Sequence, residues 1–171
     1  MAVESTIRSI GVIGTPGCGK TTFCQQSNLP VIDMTDYARE HGCLGEIEDD
    51  GAAEMDVEML SKLWRSPDNL TLIDGHLAHH LPVDAILILR CNLDELSKRL
   101  ESRGYSAKKV RDNYEVELMG GPWIDGLVGD KRPIYETVSS DLGFKNAIEW
   151  INSGCPPHTT ARTALDWISQ E

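Results

Sequence analysis

Residues 14–22 read Gly-Thr-Pro-Gly-Cys-Gly-Lys-Thr-Thr, and their spacing matches the phosphate-binding pattern G-x-x-x-x-G-K-[ST]. The apolar run at residues 10–13 precedes them and helix-compatible residues follow, so the motif lies between a predicted strand and a predicted helix. Gly17 and Gly19 let backbone N–H groups converge on an anion, and the helix N-terminus adds the positive end of its dipole. The pattern predicts that this loop binds the phosphates of a nucleoside triphosphate.

Two side chains of this loop and one later carboxylate predict a magnesium site. In loops of this type the lysine, here Lys20, reaches the β- and γ-phosphates, and the hydroxyl of the next residue, Thr21, ligates Mg²⁺. Asp74 ends the apolar segment 70–73 and suits the carboxylate that holds Mg²⁺, often through water. The alternative for Asp74 is an ordinary turn or capping aspartate. We expect Thr21 and Asp74 to hold Mg²⁺ beside ATP.

Three histidines follow this carboxylate. His76 lies two residues after Asp74, close enough to orient a water or to accept a proton near the γ-phosphate. His79 and His80 are interpreted as polar surface residues, which is the usual role of a histidine in a loop. His76 is therefore the predicted catalytic histidine.

Phosphoryl transfer builds negative charge on the oxygens around the moving group, so further cations are needed near it. Arg39 lies on the predicted helix after the second strand, where an acceptor phosphate would bind. Arg103 ends a predicted helix that leads into the basic segment 108–111. The alternative for both is an ordinary surface arginine.

Length and charge restrict the class of protein. The chain has 171 residues and is 40% apolar, which is enough for one domain with a core and too short for two ordinary ones. A net charge of -11 and a pI near 4.8 oppose binding to DNA or to an anionic membrane. A basic protein partner is compatible with this charge.

Cysteine spacing and hydropathy indicate the compartment. The five cysteines are odd in number and scattered, so we interpret them as reduced thiols. No apolar segment approaches the roughly 20 residues of a membrane span, and residues 1–9 lack the apolar core of a secretory signal. We expect a soluble, cytoplasmic protein, with a nuclear location open if the source is eukaryotic.

An acidic cluster lies in the first half of the chain. It could contact a basic partner, form a solvated loop and helix face, or reflect adaptation to high salt. Its members are Glu46, Glu48, Asp49, Asp50, Glu54, Asp56 and Glu58.

Strand and helix patterns alternate along the chain, which predicts an α/β fold with three layers: about five parallel strands with helices on both faces. Residues 134–138 fit either a strand or an irregular helical return, and we favour the return. Residues 45–51 are a predicted loop, Thr35 and Ser106 are predicted N-caps, and a final helix bears Ala161, Leu165 and Ile168. The predicted strands are 7–13, 31–34, 70–74, 84–90 and 146–151, and after the helix of the phosphate loop the predicted helices are 36–40, 54–65, 93–103 and 107–118.

Four segments together resemble the adenylate kinase isoenzyme 6 family, also called coilin-interacting nuclear ATPase, and its archaeal relatives. They are the phosphate loop at 14–22, Asp-Tyr-Ala-Arg-Glu at 36–40, Asp-Gly-His at 74–76, and the Leu-Arg pair at 89–90 leading to Arg-Leu-Glu-Ser-Arg-Gly-Tyr at 99–105. The resemblance extends from residue 10 to about residue 117 and weakens after Leu118.

The resemblance implies reversible phosphoryl transfer from ATP to AMP and a magnesium-dependent ATPase, in a protein that engages a ribosomal protein during assembly of the small ribosomal subunit. It makes Arg103 the arginine of a lid at about 103–113 and makes about 35–55 the AMP-binding flap, with an adenine loop near 152–156. Asp74 and His76 take the roles of the Asp-x-His motif, with His76 serving water attack. Gly17, Gly19, Lys20, Thr21 and Thr22 take the ATP-phosphate and magnesium roles.

Two alternatives to an adenylate kinase remain open. The chain could be an assembly factor whose output is binding of a basic ribosomal protein, with ATP turnover as the release switch. It could also keep the fold and phosphorylate another small acceptor, as shikimate and gluconate kinases do.

Overall fold

The computed structural model describes residues 6–49 and 51–170. Asp50 of the acidic cluster and residues 1–5 of the N-terminal segment lie outside the described part. The strands are β1 (Ser9–Ile13), β2 (Val31–Asp33), β3 (Leu44–Ile47), β4 (Ala53–Met55), β5 (Thr71–Asp74), β6 (Ala85–Arg90) and β7 (Ile134–Val138). The helices are α1 (Lys20–Gln26), α2 (Met34–Glu40), α3 (Val57–Leu63), α4 (Leu93–Ser102), α5 (Ala107–Leu118) and α6 (Asp141–Asn152), with 3₁₀ turns at Ala78–His80, Gly121–Ile124 and Ile168–Gln170.

Five strands form one sheet in the order β2-β5-β1-β6-β7, and each neighbouring pair is parallel. Every residue of β1, β5 and β6 is buried, as expected for parallel strands with helices on both faces. The predicted three-layer α/β fold with a five-stranded parallel sheet is confirmed.

Alternate side chains of each central strand enter two hydrophobic cores. On β1, Ile10 and Val12 belong to the core that also contains residues of α1, α4, α5 and α6. Ile13 faces the other way, into the core formed with α2 and α3. The two cores fix the sheet from both sides, so the carboxyl ends of its strands form one rigid edge.

The register of the sheet places the predicted site residues at that edge. Val12 of β1 pairs with Asp74 of β5, and Asp33 of β2 also pairs with Asp74. The loop at residues 14–19 leaves β1 directly beyond this point, so it begins beside the Asp74 carboxylate.

The predictions for the last strand were wrong. Residues 134–138, interpreted as a helical return, form β7, whereas residues 146–151, interpreted as the last strand, lie within α6. Gly143, Ala147, Trp150 and Ile151 are the buried residues of α6 and recur with helical spacing. Ser140 caps the helix by accepting a hydrogen bond from the Gly143 N–H at 2.9 Å.

Three smaller expectations also need correction. The predicted loop at 45–51 contains the end of β3, which forms an antiparallel hairpin with β4. The predicted helix 54–65 is shorter, because the Asp56 carboxylate caps α3 through the Met59 N–H. Asp33 rather than Thr35 caps α2, and it accepts from the Asp36 N–H at 2.9 Å.

The segment after α6 contains no long helix over its described residues. Residues 161–163 form turns, and the 3₁₀ turn at Ile168–Gln170 is all that replaces the predicted final helix. The prediction of a final helix was wrong because it requires Ala161, Leu165 and Ile168 to form one buried helical face, and none of the three is buried.

Two further predictions concern the thiols and the membrane. All five cysteines are free and buried, as expected for reduced thiols, and burial raises the pKa of Cys91 to about 11. Within residues 6–49 and 51–170, none of the helices has both the length and the apolar character needed to cross a membrane.

Ser106 caps α5 as predicted, and its hydroxyl accepts a hydrogen bond from the Lys109 N–H.

Candidate functional site

The phosphate loop requires glycine at two of its positions for steric reasons. Gly14 has φ of 155°, and a Cβ there would lie 2.4 Å from the Leu89 carbonyl oxygen. Gly17 has φ of 90°, and its Cβ would lie 2.9 Å from Cδ2 of Leu100 on α4. The close approach of β6 and α4 therefore forms the outer wall of the loop, and its backbone remains available to a ligand.

Lys20 begins α1 and folds back over the loop. Its Nζ donates to the carbonyl oxygen of Gly14 at 2.8 Å and to that of Thr15 at 3.2 Å. These contacts hold the ammonium group across the mouth of the loop, which is the place predicted for the β- and γ-phosphates.

Thr21 and Asp74 are in direct contact. The Thr21 hydroxyl in the first turn of α1 donates to Oδ2 of Asp74 at the end of β5, at 2.8 Å. Burial raises the pKa of Asp74, while the Thr21 hydrogen bond and the Lys20 charge act in the opposite direction. A hydroxyl and a carboxylate are hard oxygen ligands, so this pair fits Mg²⁺.

His76 follows Asp74 in a turn at the same edge. The side chain of His76 is exposed, while the protein around it removes part of the hydration of the imidazole. This partial desolvation, with the nearby positive charge of Lys20, lowers the pKa of His76 to about 4. The imidazole is therefore neutral at physiological pH, and its unprotonated ring nitrogen can accept a hydrogen bond from water.

Two arginines border a cavity beside the loop. Arg103, the C-cap of α4, lines a cavity of about 380 Å³ together with Gly17, Gly19 and Thr22. Arg99 lines the same cavity, and its Nη1 donates to the Gly17 carbonyl oxygen at 3.2 Å. The sequence analysis predicted a role for Arg103 but not for Arg99. Arg99 lies four residues before Arg103, and this spacing places both side chains on one helix face, so the sequence did contain a pattern that indicates Arg99.

Arg39 is not among the residues that line this cavity. It lies on α2, which begins directly at the carboxyl end of β2, and its Nη1 pairs with Asp36 at 2.6 Å. Both side chains of the pair are exposed, and such a pair contributes at most about 1 kcal/mol. The guanidinium can therefore leave Asp36 for an acceptor phosphate at little cost.

The loop after β7 also reaches this site. Ser139 and Ser140 line the cavity beside Arg103, and the Ser139 hydroxyl donates to the Cys18 carbonyl oxygen. The family resemblance places the adenine loop near 152–156, and that placement stays a prediction. The loop that follows the actual last strand is Ser139 and Ser140, at the opposite end of α6.

The buried carboxylate of Glu117 contacts the phosphate loop from the interior of the protein. Oε2 of Glu117 on α5 accepts from the Thr15 hydroxyl at 2.6 Å. Oε1 accepts from Nε of Arg90 at 2.8 Å, from the Cys91 N–H at 3.2 Å and from Nε1 of Trp167 at 3.0 Å. The side chains of Arg90 and Glu117 are both 0% exposed. Sequence reasoning missed this network because its members are far apart in the chain.

A second carboxylate shares the same guanidinium. Glu136 of β7 accepts from Nη1 of Arg90 at 3.1 Å and from Nε1 of Trp123 at 2.6 Å. It also accepts from the Leu165 N–H at 2.5 Å. The buried charges are therefore paired and hydrogen-bonded, as burial requires, and they connect the phosphate loop to the last described segment of the chain.

The parallel sheet and the phosphate loop together define a P-loop NTPase fold. Residues 10–120 match the model of the AAA domain family. The chain belongs to this family. It also belongs to a group of archaeal proteins named "Putative adenylate kinase". One from Methanocaldococcus jannaschii is 30% identical over 94% of this chain and 93% of its own length. One from Natronomonas pharaonis is 36% identical over 85% of this chain and 90% of its own length.

Solved structures share the fold at lower identity. A structure titled as a putative kinase from Chloroflexus aurantiacus has a TM-score of 0.52 and 15% identity, covering 88% of this chain and 96% of its own. A gluconokinase from Sinorhizobium meliloti has a TM-score of 0.50 and 15% identity, covering 96% of this chain and 97% of its own. At this identity the likeness establishes the architecture alone.

Replacing Glu117 by alanine should destabilise the protein strongly. The substitution leaves the Arg90 guanidinium, the Cys91 N–H and the Trp167 indole without their shared acceptor, and breaking a buried pair costs about 3–5 kcal/mol. Chemical denaturation measures the change. Glu115→Ala removes an exposed carboxylate from the same helix and should change stability by less than about 0.5 kcal/mol. Equal effects of the two substitutions would contradict the assigned role of Glu117.

The depressed pKa of His76 predicts a pH-dependent stability. The unfolded chain titrates this group at 6.5 and the folded chain at about 4, so the unfolded state binds more protons between these values. The contribution of His76 to the free energy of unfolding should therefore be fully present above pH 6.5 and should decrease as the pH falls toward 4. Thermal unfolding in metal-free buffer should show a shallower fall for His76→Gln, whereas the exposed His158→Gln control should keep the wild-type slope. Identical slopes for wild type and His76→Gln would refute the assignment.

Proposed function

We propose that this chain is a nucleotide kinase that catalyses reversible phosphoryl transfer from ATP to AMP, giving two molecules of ADP. The observation that carries the proposal is the convergence at one sheet edge of the Lys20 ammonium, the Thr21–Asp74 pair and the arginine-lined cavity. The archaeal relatives named as adenylate kinases support AMP as the acceptor.

The donor side follows from the geometry of the loop. Backbone N–H groups of the loop at residues 14–19, in which Pro16 alone has no N–H, and Lys20 Nζ hold the β- and γ-phosphates of ATP. Arg99 and Arg103, across the cavity from Thr22, neutralise the charge that develops on the transferring group. Thr21 and Asp74 would hold a magnesium ion, which would supply Lewis-acid stabilisation of the phosphate oxygens.

The acceptor side is assigned to α2 and the hairpin of β3 and β4. Arg39 holds the AMP phosphate in line with the γ-phosphoryl group, which converts binding energy into correct orientation. Closure of the flap at about 35–55 and of the lid at about 103–113 excludes water from the reaction. The corner between α4 and α5 forms the start of this lid segment.

The same site would hydrolyse ATP when water takes the place of AMP as the acceptor. His76 is neutral at physiological pH and lies next to the phosphate-binding edge, so its ring nitrogen can accept a hydrogen bond from a water and orient that water for attack. We therefore assign to the chain a magnesium-dependent ATPase activity in addition to AMP phosphorylation.

Substitution of Lys20 or Asp74 should slow phosphoryl transfer strongly without unfolding the protein. Lys20→Ala and Asp74→Asn should each lower the rate of ADP formation by about 100-fold or more, because both groups stabilise charge in the transition state. A coupled assay with and without AMP measures this rate. Lys62→Ala is the matched control, since Lys62 is an exposed lysine paired with Glu58 on α3.

The outcome of this assay separates the alternatives. ADP formation that rises with AMP supports the proposal, and equal rates with and without AMP would contradict it. A panel of other small acceptors, including gluconate and shikimate, then identifies a kinase that keeps the fold but has a different substrate.

A second proposed function is binding of a basic small-subunit ribosomal protein, with ATP turnover as the release switch. An exposed acidic hairpin supports it: Glu46, Glu48, Asp49 and Glu54 all face solvent, and Ile47 beside them is 71% exposed. Opposite charge steers such encounters and fixes the partner's orientation.

This binding role predicts a nucleotide-dependent partner. Protein loaded with Mg·ATP and nucleotide-free protein should retain different amounts of a basic ribosomal protein in a pull-down at low salt. Glu46→Lys combined with Glu48→Lys should reduce retention at least tenfold, while Glu115→Lys on α5 should not. Retention that is insensitive to both nucleotide and charge reversal would count against the role.

A further inference from the structure

We propose that His79, His80 and Asp125 form a binding site for a divalent transition-metal ion of the zinc class, separate from the magnesium pair. Nε2 of His79 lies 3.0 Å from Oδ2 of Asp125, and Nε2 of His80 lies 2.9 Å from the same oxygen. One ligand atom from each residue lies within 4.8 Å of the other two. Three nitrogen and oxygen donors thus converge on one point.

The spacing of these atoms suits a tetrahedral ion. Zinc binds imidazole nitrogen and carboxylate oxygen at about 2.0–2.2 Å, so neighbouring ligand atoms of a tetrahedral site lie about 3.3 Å apart. The two Nε2–Oδ2 distances need to lengthen by only a few tenths of an ångström to reach this value. The third pair of ligand atoms, contributed by the two histidines, is separated by no more than 4.8 Å.

Local structure explains why two consecutive histidines point to one carboxylate. His79 and His80 end the 3₁₀ turn Ala78–His80, and their rings lie 4.1 Å apart at 38°. Asp125 follows the 3₁₀ turn Gly121–Ile124, which Pro122 and Trp123 anchor in the interior. The cluster therefore joins two segments that are distant in sequence. The expectation that both histidines are surface residues was wrong for His79.

Burial differs among the three ligands in a way that suits a metal site with one open position. The side chain of His79 is 3% exposed, whereas those of His80 and Asp125 are 36% and 54% exposed. The buried ring anchors the site, and the other two ligands leave a side open to solvent. Three protein ligands with a water in the fourth position are the usual set for a zinc ion that is not fully enclosed.

The surrounding charges are compatible with a cation. Arg132 donates to the carbonyl oxygens of His79 at 2.7 Å and Leu81 at 2.9 Å. Its charge is balanced by Asp130, whose Oδ2 lies 2.7 Å from Nη2 of Arg132. This pair fixes the backbone of the histidine turn, which pre-positions the ligands.

The donor set distinguishes this cluster from the magnesium pair. Thr21 and Asp74 offer oxygen alone, which suits Mg²⁺, whereas two imidazole nitrogens select zinc, copper or nickel over magnesium. An ion at the cluster would also fix the turn that carries His76, because the histidines lie three and four residues beyond it.

Metal titration of the full chain without an affinity tag tests the proposal. Zinc should bind with one ion per chain in competition with a chromogenic chelator, in buffer that contains excess Mg²⁺. Cobalt should give the intense visible absorption of a tetrahedral site. Loss of even an outer-shell partner costs 10- to 100-fold in metal affinity, so His80→Ala and Asp125→Ala should each weaken zinc binding by about 100-fold.

The controls use residues away from the cluster and a second readout. His158→Ala removes an exposed histidine and should retain wild-type zinc affinity. Zinc should raise the melting temperature of wild type and of His158→Ala but not of the two ligand variants. His80 and Asp125 are partly exposed, so these variants should fold, which circular dichroism verifies. Unchanged zinc affinity in both ligand variants, or no zinc binding by the wild type, would overturn the proposal.

Discussion

The parallel pairing of β1 with both β5 and β6 is the constraint on which the site depends. It places the end of β1 between Asp74 and the end of β6, so the phosphate loop begins with a carboxylate on one side and α4 on the other. Without this register, the Thr21 hydroxyl and the Asp74 carboxylate would not be within hydrogen-bonding distance of each other. The two hydrophobic cores keep the three strands aligned, and a shift by one residue would reverse the direction of every side chain.

The phosphate loop also depends on a buried charge cluster that lies outside its own sequence. The Glu117 carboxylate accepts hydrogen bonds from the Thr15 hydroxyl and the Arg90 guanidinium. The Glu136 carboxylate accepts from Arg90 and from the Trp123 indole. A buried ion pair of this kind contributes less to net stability than its contacts suggest, because desolvation offsets the attraction. Its contribution here is positional, since it joins the loop to α5, β7 and the segment around Trp167.

Sequence alone predicted the local features of the site and missed those that depend on distant contacts. The phosphate loop, Asp74 and the central strands were predictable, because each is a continuous pattern of residue types. Residues 146–151 were misassigned because a short apolar run fits a strand and a buried helix equally well, and tertiary packing decides between them. Glu117 and His79 gave no local signal, since their partners Thr15 and Asp125 lie far away in the chain.

A crystal structure with a bisubstrate dinucleotide, two adenosines joined by a polyphosphate, would test the central claim most directly. We expect the polyphosphate within hydrogen-bonding distance of Lys20 Nζ and the backbone N–H groups of residues 14–19, with Arg99 or Arg103 against it. The second adenosine should lie toward α2, with Arg39 on its phosphate. A polyphosphate bound elsewhere, with Lys20 still on the carbonyl oxygens of Gly14 and Thr15, would contradict the account.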